Sequence, residues 1–293
     1  MKQDETIRAA NPPPESRDDL DRLREYLVRL GGAVVAYSGG VDSSLLMAAA
    51  HAALGDRALA VTAYSPTYAP HEREAALALA RSVGARHLVI ESHELDNPCF
   101  QTNPANRCYY CKSELFRELR AIADREGLPV VLDGANADDR ADYRPGRIAG
   151  RELGVRSPLL ELGFDKETVR RLAREMGLPN WNLPAGACLA SRIPYGETIT
   201  PERLNRVAAA EAALRDLGFR VLRVRDHGNL ARIELGRDEI EGALAAAARE
   251  RIQAACAAAG YTFVCLDVAG YRTGAMNEAV PHAEIAAFRE VEP

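Results

Sequence analysis

Three stretches of the sequence have residue types and spacings that could do chemistry, and the first predicts a phosphate-binding loop. It reads SGGVDS, residues 38–43, and it joins an apolar run directly to a predicted helix. Glycines let a backbone turn sharply and approach a ligand closely. Successive backbone N–H groups and the positive end of a helix bind anions. Hydroxyl groups at Ser38, Ser43 and Ser44 can donate further hydrogen bonds.

This loop differs from two familiar nucleotide-binding loops. It lacks the Lys with which the Walker-type pattern G-x-x-x-x-G-K-[ST] reaches the β- and γ-phosphates, and it lacks the G-x-G-x-x-G pattern of dinucleotide sites. The alternative interpretation is a strand-to-helix turn whose Gly and Ser residues are incidental.

The second stretch is DGANADD, residues 133–139, which follows a predicted strand and precedes DYRPG, residues 142–146. In open α/β sheets the carboxyl ends of the strands border the ligand crevice. Gly134 would let a nucleotide approach closely, and the candidates for metal and phosphate contacts are Asp138, Asp139 and Arg144. Ordinary turn chemistry is the alternative explanation for such a cluster.

The third stretch contains cysteines. Cys108 and Cys111 form a C-x-x-C pair at the start of a predicted helix, where their side chains share one face. The helix N-terminus, together with Arg107 and Lys112, predicts lowered thiol pKa values. A C-x-x-C pair alone fits a redox dithiol, half of a zinc site or part of an iron–sulfur site.

Cys188, in PAGACLASR, lies in a predicted loop with polar neighbours. The sequence has no second C-x-x-C pair and no His at zinc-finger spacing, which disfavours a closed four-cysteine zinc site. Three thiolates can hold a [4Fe–4S] cluster and leave one iron open. Cys256 and Cys265 lie in apolar runs and are predicted to be small buried side chains.

The elements that must position these residues alternate between strands and helices up to about residue 190. Apolar runs predict strands at 32–37, 58–64, 87–90 and 129–133. Helical spacing predicts helices at 18–30, 43–54, 71–83, 108–126 and 166–176, the last with Asp165 as its N-cap. This alternation predicts an α/β fold with a parallel sheet covered on both faces.

Beyond about residue 190 the pattern predicts a smaller α+β domain. It has a helix at 201–217, a hairpin with strands 220–225 and 231–235, a helix at 238–259 and a strand at 261–268. The predicted organisation is a flexible Pro-rich tail at 1–16, a nucleotide-binding domain at 17–190 and an α+β domain at 191–293.

Composition limits the classes of partner. The 293 residues carry a formal net charge of −5, and no apolar run is long enough to span a membrane. The charge disfavours a nucleic-acid partner. The polar start of the sequence has no apolar segment that could act as a secretory signal, so we expect a cytoplasmic protein with reduced cysteines.

Several motifs together carry a resemblance to a known family. SGGVDSSLL, DGANADD, NRCYYCKSELF and GACLASRIPYG resemble the LarE family of PP-loop ATP pyrophosphatases, and the similarity continues through VLRVRDHGNLARIEL. The resemblance implies an adenine nucleotide alpha hydrolase-like domain, with Mg²⁺ beside Asp42, that cleaves ATP between the α- and β-phosphates. It also implies a small-molecule nucleotide substrate, pyridinium-3,5-biscarboxylate mononucleotide. A carboxylate of this substrate is adenylated, and sulfur then displaces AMP to give a thiocarboxylate.

The resemblance also implies functional residues. The ATP and pyrophosphate site would comprise Ala36, Ser38, Gly39, Gly40, Asp42, Ser43, Thr62, Gly134, Asn136 and Arg144. The catalytic residues would be Asp42, Cys188, Ser191 and Arg192. Substrate or a second metal would be bound by Glu211, Arg223 and Glu234, for which solvated surface charges are the alternative. Tyr195 and Trp181 are candidates for stacking on a pyridinium ring, and Trp181 is equally a candidate core residue.

The family supplies sulfur in two ways. One branch gives up the sulfur of a single cysteine, which matches Cys188, and the other binds a [4Fe–4S] cluster through three cysteines, which match Cys108, Cys111 and Cys188. The presence of all three resembles the cluster branch, with sulfide or another sulfur donor as a partner, and a sacrificial or persulfide Cys188 is the alternative. Family resemblance also suggests a homo-oligomer.

Three other functions share parts of the pattern. A tRNA-thiolating PP-loop enzyme would need a basic RNA-binding surface, which a net charge of −5 disfavours. An ammonia-using PP-loop ligase would need no cysteines. A nucleotide-sensing module would hold ATP without turnover.

Overall fold

A computed structural model of the chain describes residues 14–140, 145–184, 186–272 and 274–275. The strands are β1 (Ala33–Ala36), β2 (Ala58–Tyr64), β3 (Arg86–Glu91), β4 (Val131–Leu132), β5 (Leu222–His227), β6 (Leu230–Leu235) and β7 (Phe263–Leu266). The helices are α1 (Pro14–Leu30), α2 (Val41–Leu54), α3 (Pro70–Val83), α4 (Pro98–Gln101), α5 (Arg107–Glu126), α6 (Gly146–Glu152), α7 (Pro158–Glu161), α8 (Lys166–Glu175), α9 (Pro201–Asp216), α10 (Ile240–Leu244) and α11 (Ala246–Ala258).

The first sheet is parallel, with strand order β3-β2-β1-β4. Its central strands β1 and β2 are buried on both sides: Val35 and Ala60 belong to one core, and Val34 and Leu59 belong to a second core that also includes Phe116 of α5. Alternating side chains point to opposite faces of a strand, so two cores on alternating residues mean that helices cover both faces. The α/β prediction is confirmed.

The second sheet is smaller and mixed. Strand β6 pairs antiparallel with β5 and parallel with β7. Its inner face packs on α9 and α11 through a separate core, whose members include Leu214, Val224, Ile233 and Cys256. This arrangement confirms the predicted α+β character of the C-terminal part.

Some predicted boundaries differ from the structure. Helix α1 begins at Pro14, because Pro is tolerated in the first helical turn, where an N–H has no intrahelical partner. The predicted single helix at 238–259 is wrong: Ala245 is extended (ψ 143°) and separates α10 from α11. The carboxylate of Glu239 accepts the backbone N–H groups of Arg220 and Val221, which places the helix start at Ile240. Strands β5 and β6 are joined by a tighter turn than predicted.

A fourth apolar cluster joins the two sheets, and we call it the junction core. It combines Phe100 of α4 with Leu189, Ile193, Leu204 and Val207. Because Leu189 directly follows Cys188 and Ile193 lies five residues after it, burial of this cluster fixes the C-terminal side of the loop that carries Cys188. Within the described residues, no helix has the length and apolar character that crossing a bilayer requires.

Candidate functional site

The predicted phosphate loop connects β1 to α2. The Oγ of Ser43 accepts the N–H of Ser38 (3.2 Å), lies 3.1 Å from the Oγ of Ser38 and donates to the carbonyl of Gly40 (3.1 Å). These bonds hold the loop closed on itself, so its backbone N–H groups are pre-organised for an anion at the N-terminus of α2.

Two glycines make the loop possible. Gly39 adopts a left-handed conformation (φ +75°), and a Cβ there would lie 2.8 Å from the Cβ of Ala76. A Cβ on Gly134 would lie 2.9 Å from the backbone nitrogen of Ser43. Gly134 therefore lets the chain after β4 lie directly against the phosphate loop.

Asp42 is the charged centre of this region. One carboxylate oxygen accepts the side-chain amide of Asn136 (3.0 Å), and the other accepts the ammonium of Lys166 at the start of α8 (2.5 Å). An oxygen ligand of this kind, next to a phosphate loop, suits Mg²⁺, which is commonly held by one or two carboxylates together with substrate phosphates. Lys166 places a second positive charge where phosphates would lie.

The residues around DGANADD are arranged by local hydrogen bonds. The N–H of Asn136 donates to the carboxylate of Asp139 (3.0 Å), and Asp138 accepts the N–H of Lys166 (3.1 Å). The carboxylates of Asp138 and Asp139 thus hold the backbone of the two residues whose side chains contact Asp42. The predicted phosphate ligand Arg144 lies outside the described residues.

Two further residues of the predicted ATP site lie in strands of the parallel sheet. Ala36 ends β1, and Thr62 is buried in β2. The hydroxyl of Thr62 donates to the carbonyl of Tyr37 (2.8 Å) and lies 2.9 Å from Nε2 of His87. The hydroxyl of Thr62 therefore fixes the strand that leads into the loop, and its contact with ATP stays a prediction.

The three site cysteines lie on two segments that contribute side chains to the junction core. Cys108 and Cys111 lie in the first turns of α5, and Cys111 packs against the junction core. Cys188 precedes Leu189, a member of that core, whose N–H donates to the carbonyl of Thr67 (2.8 Å). The thiols of Cys108 and Cys188 are close enough to act electrostatically on Cys111.

Asn103 ties the two segments together. Its Nδ2 donates to the carbonyl oxygens of Ile193 (3.2 Å) and Pro194 (2.7 Å), and its own carbonyl accepts the N–H of Gly196 (2.9 Å). Asn103 is fully buried and has a positive φ of 53°, a conformation that Asn tolerates better than most residues. A strained backbone held by three hydrogen bonds indicates a position fixed by its surroundings.

The expected lowering of the thiol pKa is wrong for Cys111. Burial raises the pKa of Cys111 well above its ordinary value, and the nearby charge of Glu94 raises it further. Lys112 acts in the opposite direction but does not prevail. The helix N-terminus argument fails because the side chain of Cys111 turns into the junction core, where the charged thiolate is poorly solvated.

Arg192 anchors the Cys188 loop to the C-terminal domain. Its guanidinium forms two hydrogen bonds with the carboxylate of Glu211 (2.8 and 3.1 Å) and also donates to the carbonyl of Cys188 (3.1 Å) and the Oγ of Ser191 (3.0 Å). Both charged side chains are buried, and Glu211 accepts the N–H of Val224 as well. Arg192 therefore shapes the loop through its own hydrogen bonds.

The predicted C-terminal residues lie on the neighbouring hairpin. Arg223 and Glu234 are cross-strand partners, and Glu234 forms two hydrogen bonds with Arg225 (2.9 and 2.6 Å). The alternative of solvated surface charges is wrong for Glu211 and Glu234, which are 1% and 0% exposed. Burial and the positive charge of Arg192 lower the pKa of Arg223, as expected where several guanidinium groups crowd together.

The two aromatic candidates have different surroundings. Trp181 packs against the core of the parallel sheet, with the guanidinium of Arg174 over its ring at 5.2 Å. Tyr195 lies near the cysteines, with the guanidinium of Arg107 over its ring at 4.6 Å. Tyr195 is thus the ring that borders the site.

One segment connects the phosphate loop to Cys188. The side-chain amide of Asn180 donates to the carbonyl of Gly39 (2.9 Å) and the Oγ of Ser44 (2.9 Å), eight residues before Cys188. The hydroxyl of Tyr68 donates to the carbonyl of Ser38 in the phosphate loop. The carbonyl of the preceding residue, Thr67, accepts the N–H of Leu189. Hydrogen bonds therefore connect the phosphate loop to the segments on both sides of Cys188.

Sequence reasoning missed four polar residues of this region: Asn103, Arg107 as a site residue, Lys166 and Asn180. Lys166 was predicted only as the start of a helix, and its contact with Asp42 spans 124 residues of sequence. The adjacent residues Asp165 and Lys166, which follow the fourth predicted strand, are the one local signal that could have indicated this role of Lys166. No local pattern marks Asn103 or Asn180, whose partners lie 90 and 141 residues away.

The chain is similar in sequence to several known proteins. A family model described as NAD synthase matches residues 17–117. An uncharacterised protein of Synechocystis sp. is 44% identical over 261 residues, which are 89% of this chain and 97% of the relative. The pyridinium-3,5-bisthiocarboxylic acid mononucleotide synthase of Lactiplantibacillus plantarum is 40% identical over 255 residues, 87% of this chain and 92% of that enzyme. An NH₃-dependent NAD⁺ synthetase of Finegoldia magna is 30% identical over 161 residues, 52% of this chain and 63% of that enzyme.

Proposed function

Because the chain belongs to the LarE family of ATP-dependent PP-loop enzymes, we propose that it is a sulfur transferase acting on pyridinium-3,5-biscarboxylate mononucleotide. It would adenylate a carboxylate of this nucleotide and replace AMP with sulfur. The observation that carries the proposal is that Cys108, Cys111 and Cys188 lie on two segments that meet at the junction core, and that hydrogen bonds connect this region to the phosphate loop.

The adenylation step makes use of the phosphate loop. An oxygen of the substrate carboxylate attacks the α-phosphorus of ATP, the bond from that phosphorus to the bridging oxygen breaks, and pyrophosphate leaves. The loop N–H groups and Lys166 would bind the departing pyrophosphate, whose charge develops during this step. Asp42 would hold Mg²⁺, which supplies further neutralisation of the phosphates.

The sulfur step consumes the acyl adenylate. A sulfur nucleophile attacks the carbonyl carbon, the bond from that carbon to the AMP oxygen breaks, and AMP leaves with the electron pair. The carboxylate must first be activated, because it is a poor electrophile until its oxygen becomes part of a good leaving group. Cys188 is the cysteine whose loop is fixed by both the junction core and Arg192.

The donor set of the site fits an iron–sulfur cluster in kind and number. Cys108, Cys111 and Cys188 would hold a [4Fe–4S] cluster, which supplies an open iron for an additional sulfide. As the side chains stand, no group of three His, Cys, Asp or Glu residues among the described residues is arranged to hold a metal ion. Cys108 and Cys188 are exposed, so their side chains can turn toward a ligand.

The second candidate uses the sulfur of Cys188 itself. In this route the thiolate of Cys188 attacks the acyl adenylate and AMP leaves with the electron pair of the broken C–O bond. A base then removes the Cα proton of Cys188 as its Cβ–S bond breaks, which releases the thiocarboxylate and leaves dehydroalanine. The exposure of Cys188 favours this alternative. The reduced thiols needed by either route are expected in the cytoplasm.

The experiment that tests the proposal measures pyrophosphate and thiolated nucleotide formed from ATP and the pyridinium substrate by protein purified without oxygen. We expect Cys188→Ala to form pyrophosphate but no thiolated product. Iron and acid-labile sulfide content of the wild type and Cys108→Ala separates the two sulfur routes. About four of each per chain, lost in Cys108→Ala, would support the cluster. Thiolation by Cys188→Ala would contradict both routes, and tRNA thiolation would replace the proposed substrate.

A further inference from the structure

A buried guanidinium without a carboxylate partner lies beside the site cysteines. Arg107 is 4% exposed, and among the described residues no Asp or Glu forms a salt bridge with it. The other buried arginines of the region, Arg192 and Arg225, each form a two-bond contact with a carboxylate. Burial of an uncompensated charge is costly, so an anion is expected near Arg107.

Neutral groups hold the guanidinium of Arg107 in place. Its Nη1 donates to the Oδ1 of Asn103 (3.0 Å), and its face covers the ring of Tyr195 at 4.6 Å. Its Nε is buried and donates to no acceptor in the described part of the chain. A buried donor without an acceptor costs free energy that a ligand could recover.

The guanidinium of Arg107 lies beside the segments that carry the site cysteines. Arg107 is the first residue of α5 and directly precedes Cys108. Its hydrogen-bond partner Asn103 donates to the carbonyl oxygens of Ile193 and Pro194, and its guanidinium covers the ring of Tyr195, so it also contacts the segment that follows Cys188. An anion bound here would lie between the segment of Cys108 and the segment of Cys188.

We propose that Arg107 is the receptor for a small sulfur anion of the hydrosulfide class, which it binds beside Cys108 and Cys188. The inference rests on the proposed sulfur transfer and names the donor that the same site accepts. Hydrosulfide balances the reaction without an oxidant or reductant. Its sulfur becomes bonded to the acyl carbon, AMP leaves with the electron pair of the broken C–O bond, and the hydrosulfide proton passes to solvent.

The test compares Arg107→Gln, which removes the charge, and Arg107→Lys, which keeps the charge but not the planar fork. Arg120→Gln is the matched control, because Arg120 lies on the exposed side of the same helix. We expect the KM for hydrosulfide to rise roughly ten- to a hundred-fold in Arg107→Gln and less in Arg107→Lys. The rate of pyrophosphate formation should change less than about two-fold, since Arg107 acts on the sulfur anion and not on ATP.

A binding measurement on metal-free protein complements the kinetics. Sodium thiocyanate, an inert sulfur-containing anion, should slow the alkylation of Cys188 by N-ethylmaleimide at constant ionic strength, as measured by peptide mass spectrometry. This protection should be lost in Arg107→Gln and retained in Arg120→Gln. It reports on the anion site without any requirement for turnover.

The outcomes separate the inference from the proposed function. A wild-type hydrosulfide KM together with full thiocyanate protection in Arg107→Gln would overturn the inference. Thiolation that is independent of hydrosulfide and converts Cys188 to dehydroalanine would also overturn it, while the proposed function would stand. Failure of the wild type to form pyrophosphate would contradict the proposed function itself. If Arg107→Gln does not fold, an unchanged hydrosulfide KM in Arg107→Lys overturns the inference, because an ammonium group cannot reproduce the planar fork of the guanidinium.

Discussion

At the scale of single residues, Lys166 links the acid of the phosphate loop to the start of α8. The ammonium of Lys166 donates to one carboxylate oxygen of Asp42, and the side-chain amide of Asn136 donates to the other. The carboxylate is therefore held from two sides. When ATP enters, the same ammonium can exchange from the carboxylate to a phosphate oxygen, because both are anionic acceptors of similar geometry. Lys166 is thus expected to serve phosphates and not only the fold.

We expect Lys166→Met to lower the rate of ATP-dependent pyrophosphate formation by about 10²-fold, since it removes one cation from the developing charge. Lys166→Arg keeps the charge and should retain part of the activity. Thermal unfolding of both variants checks that the fold is intact. Wild-type pyrophosphate formation by Lys166→Met would show that the contact with Asp42 is structural only.

A second prediction at this scale concerns Cys256, which is buried in the core of the second sheet. Burial raises the pKa of Cys256 to about 11. An unfolded thiol ionises near pH ~8.5, so above that pH the unfolded chain has lost a proton that the folded chain keeps. The free energy of unfolding should therefore fall by up to about 1.4 kcal/mol per pH unit between these two values.

Urea unfolding of metal-free protein from pH 8 to 10.5 measures this slope. Cys256→Ala should lower stability at every pH, because it leaves a small cavity, but it should flatten the slope relative to the wild type. Cys99→Ala removes an exposed thiol and is the control. Equal slopes of unfolding free energy against pH for wild type and Cys256→Ala would contradict the assignment of this pH dependence to Cys256.

Residue-level prediction from sequence succeeds where the cause is local. The phosphate loop was predictable because Gly39, Gly40 and Ser43 act through their own turn and the adjoining helix. Asn103, Arg107 and Asn180 were not, because their partners come from distant parts of the chain. The pKa of Cys111 was mispredicted for the same reason, since the sequence does not reveal its contact with the junction core.

At the scale of elements, the close approach of the chain after β4 to the N-terminus of α2 is the contact most sensitive to substitution. Gly134→Ala would place a methyl group 2.9 Å from the nitrogen of Ser43, a distance that forces the backbone to move. We expect the KM for ATP to rise about ten-fold or more, because the displaced loop N–H groups would no longer converge on the phosphates.

Gly242→Ala in α10 is the matched control, since a Cβ there meets no atom within 4 Å. Helix propensity favours Ala over Gly, so this control should leave activity unchanged and slightly raise stability. ATP titrations that monitor pyrophosphate formation give the KM for ATP of both variants. An unchanged KM for ATP in Gly134→Ala would show that the two elements can separate without loss of the site.

Element prediction worked best where apolar runs and helical spacing were strong. Strand β2 was predicted with its observed bounds, and Asp165 caps α8 through the N–H of Thr168 (2.8 Å) as expected. The break at Ala245 was missed because the surrounding residues are nearly all good helix formers. Contacts of Glu239 with the two residues that precede β5, which the sequence does not show, determine where α10 starts.

At the scale of the whole molecule, the two sheets are joined by the junction core and by the buried contact between Arg192 and Glu211. We expect Glu211→Gln to lower the free energy of unfolding by about 3–5 kcal/mol, because Arg192 would keep its charge without a buried partner. Glu241→Gln on the exposed surface of α10 is the control. Denaturant unfolding measures the difference, and a change below about 1 kcal/mol would mean that water compensates Arg192.

The hydrogen bonds between Asn103 and residues 193 and 194 have a consequence for when the site can assemble during translation. A ribosome releases Cys108 and Cys111 long before Cys188, and the carbonyl oxygens that accept the amide of Asn103 belong to residues 193 and 194. The nascent chain therefore exposes two of the three site cysteines before the third can reach them. Assembly of the complete sulfur site should thus be a late event of biosynthesis, when translation of the second domain has begun.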